Sequence, residues 1–199
     1  MDLEREKYFK INSANKPRFW VVDDFYEDPI AIRNYALEQW FFDDEGYVGM
    51  RTRTQHFFPG VKEKFEEIMG MKITEWESYG MNGRFQSTVA GLPLAVHCDD
   101  QQWAGMIYLT PDAPFESGTT AWAHKKSRIR HGSDAEDITQ VFNQKTFVDL
   151  TPYEPVDVIG NVFNRLVIFD GRLVHSASQY FGWDIGSGRL WHMFFFDAK

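Results

Sequence analysis

Hydrophobic positions change their period twice along this chain. Asp28 followed by Pro29 offers an N-cap with proline at the first helical position, and Ile32, Ala36 and Trp40 then recur at helical spacing. This pattern predicts a helix from Pro29 to about Phe41. A second helix is expected after Pro59 and Gly60, where Val61, Phe65, Ile68 and Met69 share one face and Gly70 supplies the stop. Both helices are expected to cover one face of a sheet. From Lys72 the period becomes two. ITEWESY, RFQSTV, LAVHCD and WAGMIYLT read as strands separated by glycine-bearing turns, a meander rather than a βαβ arrangement.

Residues 111 to about 157 lose this regularity. They hold PDAPFESG, a basic run KKSRIRH, and SDAE, in which Ser133 and Glu136 form a capping box for a short helix toward Asn143. Excursions of this length inside a compact domain are usually functional lids or disorder. Strand signals return in NRLVIFDGRLVHSA, where Asp170-Gly171 between two apolar runs predicts a two-residue hairpin. In that register Ile168 faces Leu173 and Leu166 faces His175, which puts a histidine on an aliphatic face. The other face, Val167, Phe169 and Val174, is apolar too, as in a sheet packed on both sides. RLWHMFFFD closes the chain as a last strand.

Composition narrows the class. Aromatic residues make up 17% of the chain, with Phe 18, Trp 7 and Tyr 8, and such residues favour packed strands. The expected fold class is mainly β with flanking helices (α+β). At 199 residues the chain is one domain's worth: a lead-in over 1–83, then a core over 84–199 with the irregular insert 111–157. A net charge of −8 argues against a general phosphate-backbone binder, so no nucleic-acid partner is expected, although a local basic patch remains compatible. One cysteine cannot form an internal disulfide, the start MDLEREKYFK has no apolar segment of the signal-peptide kind, and no apolar run approaches 18 residues. A cytoplasmic protein without a membrane span is the expectation.

The candidate chemistry lies in the later strands. His97 and Asp99 stand two apart at a strand's end and project to the same side. Roughly one His-X-acid pair is expected by chance among six histidines in so acidic a chain, so the pair alone carries little. Its context carries more, because His175 follows on a late strand and Arg189 opens the last one. Two histidines and a carboxylate on rigid strands form a facial triad suited to non-haem Fe(II), leaving positions for a chelating 2-oxo acid and for dioxygen. A cationic fork is then needed for the far carboxylate of the 2-oxo acid, and arginine binds carboxylate bidentately.

In these motifs the chain resembles the iron(II)- and 2-oxoglutarate-dependent oxygenases, specifically the prolyl-4-hydroxylase-like branch with a double-stranded β-helix (jelly-roll) core. The resemblance runs from about Arg84 to Ala198. It implies that His97, Asp99 and His175 are the catalytic metal ligands, that Arg189 grips 2-oxoglutarate, and that Tyr108, at the end of IYLT, hydrogen-bonds the same carboxylate. FESGTTAW resembles the family's G-G-T turn, with Ser117 where the first glycine is common. VVDDFYEDPIAIRNYAL is similar to the lead-in of small members from marine bacteria and their phages. The implied function is hydroxylation of a C–H bond of a small-molecule or peptide substrate, with Fe(II) as cofactor and 2-oxoglutarate as co-substrate. No tyrosine precedes the HCD motif where many members have a further cofactor contact, and Gln86 and Thr88 are the two candidates to replace it.

Blander roles stand beside these. His97 with Asp99 also fits a strand-end hydrogen bond, and His175 a satisfied core histidine. A non-catalytic jelly-roll binding or structural protein, or a cupin-like metalloenzyme using no 2-oxo acid, are the alternatives. His192 reads as structural, His56, His124 and His131 as surface residues, Cys98 as packing, and Lys125, Lys126, Arg128 and Arg130 as a solvated loop or, less simply, a lid for an acidic substrate.

Overall fold

The structure is a computed structural model that describes residues 17–44, 46–138, 142 and 149–199. The first helix, α1 (Pro29–Leu37), starts as the sequence requires, with the Asp28 side chain accepting the Ala31 N–H at 2.9 Å. It stops short of Phe41 because Phe41–Asp43 becomes strand β2 and pairs with β3 (Met50–Thr52), Phe41 lying opposite Thr52. Cross-strand pairing overrides the helical spacing of Trp40, which is left 68% exposed at the junction. The second helix, α2 (Val61–Met69), has its expected bounds, set by Gly60 and Gly70 in left-handed conformation.

The remaining strands are β1 (Phe19–Val22), β4 (Ile73–Glu75), β5 (Arg84–Thr88), β6 (Trp103–Tyr108), β7 (Thr119–His124), β8 (Tyr153–Ile159), β9 (Leu166–Asp170), β10 (His175–Ala177) and β11 (Arg189–Ala198). They form two antiparallel sheets. The larger has the order β1-β9-β6-β11-β5-β3-β2, with β4 on the far part of β11; the smaller is β10-β7-β8. One face of the large sheet buries Phe85, Ile107, Leu166, Leu190, Phe194 and Phe196 beneath Ala36 of α1 and Phe65 and Met69 of α2. Phe65 meets Phe194 edge-on at 5.0 Å and Trp76 stacks on Phe194 at 5.4 Å, so much of the aromatic excess is core packing. The other face, with Ala104, Tyr108, Val167, Phe169, Trp191 and Met193, looks toward the small sheet. This is the double-stranded β-helix architecture.

Four expectations are corrected. The strands do not form a meander, because β11, the last in sequence, inserts between β5 and β6. LAVHCD contributes one bridge, His97 with His175, in place of a full strand, and ITEWESY is a strand only over its first three residues. The stretch 111–157 supplies β7 and most of β8, two of the three strands of the small sheet. Its capped turn spans only Gly132–Asp134 with His131 as N-cap, and most of the helix expected toward Asn143 lies outside the described residues.

The fourth correction concerns Asp170-Gly171, which is not a hairpin. β9 pairs with β1 and β6, β10 with β7, and the chain crosses between sheets at this point. A side chain is excluded at Gly171 by proximity, since a Cβ there would lie 2.7 Å from the Gln101 carbonyl oxygen and 3.2 Å from the Cβ of Asp99. The crossover also changes the company of His175. Its ring meets Phe169 at 4.8 Å, on the face toward the small sheet, whereas Leu166 and Ile168 lie in the cluster under the helices.

Among the described residues no helix is long and apolar enough to cross a membrane.

Candidate metal centre

His97 and His175 are brought together by backbone. Each donates its N–H to the other's carbonyl, at 2.9 and 2.8 Å, and the rings lie 4.3 Å apart. Asp99 follows His97 on the same side. Its Oδ1 is 3.4 Å from Nε2 of His97 and its Oδ2 is 3.6 Å from Nε2 of His175; one ligand atom from each residue lies within 4.8 Å of the others. Both imidazoles are aimed from behind. Nδ1 of His97 donates to the Ala95 carbonyl at 2.9 Å and Nδ1 of His175 to that of Leu173 at 2.8 Å. A carbonyl only accepts, so in the neutral imidazoles these bonds fix Nδ1 as the protonated nitrogen and free the Nε2 lone pair, on the side of Asp99, for a metal.

The donor set fits a metal. Asp99 Oδ2 is buried without a hydrogen-bond partner, an expensive arrangement that a cation between the three side chains would relieve. Two nitrogens and one carboxylate on one side suit Fe(II) with open positions opposite. Electrostatics agree. Burial opposes charging of His97, but the hydrogen bond and charge of Asp99 prevail and hold it above its ordinary 6.5. Burial, then the neighbouring His97, push His175 down to about 4. Burial works against the Asp99 carboxylate, yet the two histidines keep it below the usual value. His97 retains 38% of its side-chain exposure, and Asp99 borders a cavity of about 330 Å³ rimmed by Cys98, Asp100, Gly132, Ser133 and Arg172. Part of the 111–157 stretch therefore edges the site. A larger apolar cleft, about 570 Å³, lies against Ser87, Leu37 and Met50, and no triad residue lines it.

Arg189 stands on the same inner surface. It is 2% exposed, and no carboxylate pairs with it among the described residues. Its Nε donates to the Ser117 carbonyl at 2.8 Å and its Nη2 to that of Gly118 at 3.1 Å, while Tyr108 and Trp191 flank the guanidinium at 5.1 and 4.4 Å. Gly118 is glycine for the same reason as Gly171, since a Cβ would collide with the Ile159 carbonyl at 1.8 Å. The Tyr108 hydroxyl and Thr119 Oγ1 share a hydrogen bond of 2.9 Å beside Arg189. The two Nη1 hydrogens have no acceptor among the described residues. Gln86 is committed to the Val48 carbonyl at 2.7 Å, whereas Thr88, opposite Arg189, keeps its buried Oγ1 unpartnered.

Other candidates resolve differently. His192 is buried between the Tyr26 hydroxyl (2.7 Å) and the Gly83 carbonyl (3.1 Å). His56, expected at the surface, is buried beneath α1, between the Tyr35 hydroxyl at 3.0 Å and Thr54 at 3.2 Å. His131 is also not free, since it caps its own turn and pairs with Asp170 at 3.1 Å. His124 meets Ser127 at 2.7 Å in a turn. Burial, then Asp99, raises the Cys98 thiol to about 12, which makes it unreactive. In the basic run Lys125 binds the Thr151 carbonyl and Arg128 pairs with Glu154 on a solvated turn. Arg51 and Arg84, with buried, unpartnered Nε atoms, carried no motif in the sequence; the period-two arginines of MRTRT were a signal for Arg51 and Arg53 alone.

Fold and site together define a double-stranded β-helix protein with a His-Asp-His group able to hold a metal ion. Over residues 7–196 the chain matches a family of unknown function, DUF6445, and it belongs to that family. No curated protein matches it. Among solved structures it is similar to HygX from Streptomyces hygroscopicus with nickel and 2-oxoglutarate bound (TM-score 0.57, 9% identity, 97% of this chain and 85% of that one). It is also similar to a prolyl hydroxylase from Trichoplax adhaerens in complex with a hypoxia inducible factor peptide fragment (0.52, 12%, 98% and 90%). A third is AviO1 from Streptomyces viridochromogenes (0.50, 16%, 89% and 88%).

Proposed function

We propose that the protein is an Fe(II)- and 2-oxoglutarate-dependent dioxygenase that hydroxylates a C–H bond of a small-molecule or peptide substrate, releasing succinate and CO2. One observation carries the reading: two unsatisfied groups of opposite demand share one inner surface. The triad with its orphaned Asp99 oxygen calls for a cation, and the buried, unpaired Arg189 calls for an anion. On β7, Ala121 lies opposite His175, and Thr119, two residues away, touches Arg189, so the two demands are about 7 Å apart along the strand. A 2-oxo diacid that chelates a metal at one end and reaches Arg189 with the other meets both. That HygX, of the same fold, holds nickel and 2-oxoglutarate supports this.

Iron, when bound, supplies the activation of dioxygen. The chain's own residues orient and exclude. His97, Asp99 and His175 would occupy one side of the metal, their geometry held by the Ala95 and Leu173 carbonyls. Arg189, braced by the Ser117 and Gly118 carbonyls, would present Nη1 to the far carboxylate, with Thr88 Oγ1 and the Tyr108 hydroxyl beside it. The Tyr108 and Trp191 rings keep water from that end, which strengthens the charge-assisted contact.

The test is conversion of 2-oxoglutarate to succinate by purified protein supplied with Fe(II) and dioxygen, without added substrate. Succinate is expected from the native sequence and its loss from Asp99→Ala. Absence of both succinate formation and metal binding in the native sequence defeats the proposal.

A further inference from the structure

The large sheet continues past the candidate centre in a direction that the co-substrate would not use. Beyond β5, strands β3 and β2 extend the same surface. Residues directly opposite in antiparallel pairs point to the same side. Arg189 lies opposite Thr88, Trp191 opposite Gln86, Met193 opposite Arg84, and Gln86 opposite Arg51. Arg51 and Arg84 thus share the face of Arg189. Arg84 stands in the row of Met193, nearer the end of the barrel where Phe169, one row further on, meets His175.

These arginines are poorly satisfied. The Arg51 side chain is 4% exposed, and the Nε atoms of Arg51 and Arg84 are both buried without a hydrogen-bond partner. Burial works against the charge on Arg51, Asp44 supports it from 3.6 Å, and Arg84 is close enough to oppose it. No carboxylate pairs with Arg84 or Arg53 among the described residues. Arg53 rests over Trp40 at 5.1 Å and Arg51 under Tyr47 at 4.2 Å, and both of those rings are exposed. In a chain of net charge −8, Arg51, Arg53 and Arg84 against the one carboxylate of Asp44, among the described residues, make a local positive site on the inner face that Arg189 shares.

We infer that this surface receives the primary substrate as a small acid, its carboxylate or phosphate bound between Arg51 and Arg84 and its body extending from β5 toward the candidate centre, with Arg53 and the exposed Trp40 and Tyr47 rings at the outer edge of the anion site. The inference rests on the oxygenase reading and names a substrate class for it. Like charges in a buried pair are tolerated where an anion completes them, and arginine forks match carboxylate and phosphate alike.

The experiment is calorimetric titration of phenylacetate, phenyl phosphate and uncharged benzyl alcohol into protein loaded with Zn(II) and saturated with 2-oxoglutarate, so that Arg189 is already engaged. The variants are Arg84→Gln and the exposed Arg53→Glu, whose folding is checked by thermal midpoint. Binding of either anion that weakens at least tenfold in Arg84→Gln and at least threefold in Arg53→Glu, with no binding of benzyl alcohol, supports the inference and identifies the preferred anion. No binding of either anion, binding indifferent to both substitutions, or equal binding of benzyl alcohol overturns it. Failure of 2-oxoglutarate itself to bind counts against the oxygenase reading instead, and the three probes titrated without it then decide the arginine site on their own.

Discussion

The amide of Asp99 donates to the carbonyl of Gly171 at 2.7 Å, and a Cβ on Gly171 would stand 3.2 Å from that of Asp99. The carboxylate of the candidate centre is thus positioned by the point where the chain leaves one sheet for the other. Gly171→Ala should push Asp99 away from the two histidines. We expect a loss of about 1–3 kcal/mol in stability from overpacking and roughly 10–100-fold weaker metal binding, both read by titration and denaturant melts. Metal affinity equal to that of the native sequence would show that the contact is incidental.

Arg189→Met keeps the apolar stem and removes the charge. Two opposing effects act on folding: the Ser117 and Gly118 carbonyls lose a buried donor, and an unpaired buried cation disappears. The thermal midpoint without ligand should move little. The stabilisation that 2-oxoglutarate confers on metal-loaded protein should nearly vanish, since losing a charge-assisted contact costs about 1.5–3 kcal/mol, roughly tenfold to a hundredfold in affinity. A variant that unfolds outright, beside a native protein unmoved by 2-oxoglutarate, would make Arg189 a purely structural residue.

Metal binding should release a proton wherever His97 is protonated in the metal's absence. Coordination requires neutral imidazoles, and without metal Asp99 holds His97 protonated to above pH 6.5. Apparent affinity for Zn(II) is therefore expected to fall about tenfold per pH unit once the pH drops below that raised value. His175, already depressed to about 4, adds nothing until far lower pH. Titrations at pH 8, 7 and 6 with a flat affinity would contradict this.

His192 should make folding acid-sensitive. Burial lowers it to about 3 from 6.5, so between those values the unfolded chain binds the proton and the folded one does not. The stabilisation is complete above pH 6.5 and is lost as pH falls toward 3, at roughly 1 kcal/mol per pH unit. His192→Gln, which can still bond Tyr26 and Gly83, should start less stable at pH 7 and lose less on acidification in urea melts. Parallel curves for the two proteins would rule out His192 as the titrating group.

What the sequence determined by itself was local. Asp28 and Pro29 start α1, Gly60 and Gly70 bound α2, and apolar or alternating runs between turns mark β5, β6, β9 and β11, because caps, turns and strand patterns act within a few residues. The ordered set His97, Asp99, His175 and Arg189 was legible for a related reason, since each residue type is chemically specific. Tertiary structure decided the pairing. β11 lies between β5 and β6, and β7 and β8 leave an apparently irregular stretch to build the small sheet. Which face His175 joins, and the burial of His56 under Tyr35, follow from those contacts. So does the alignment of Arg51 and Arg84 with Arg189, which depends on strands more than a hundred residues apart finding one register. Such pairings are selected by apolar area buried across the whole chain, a quantity that no short window of sequence contains.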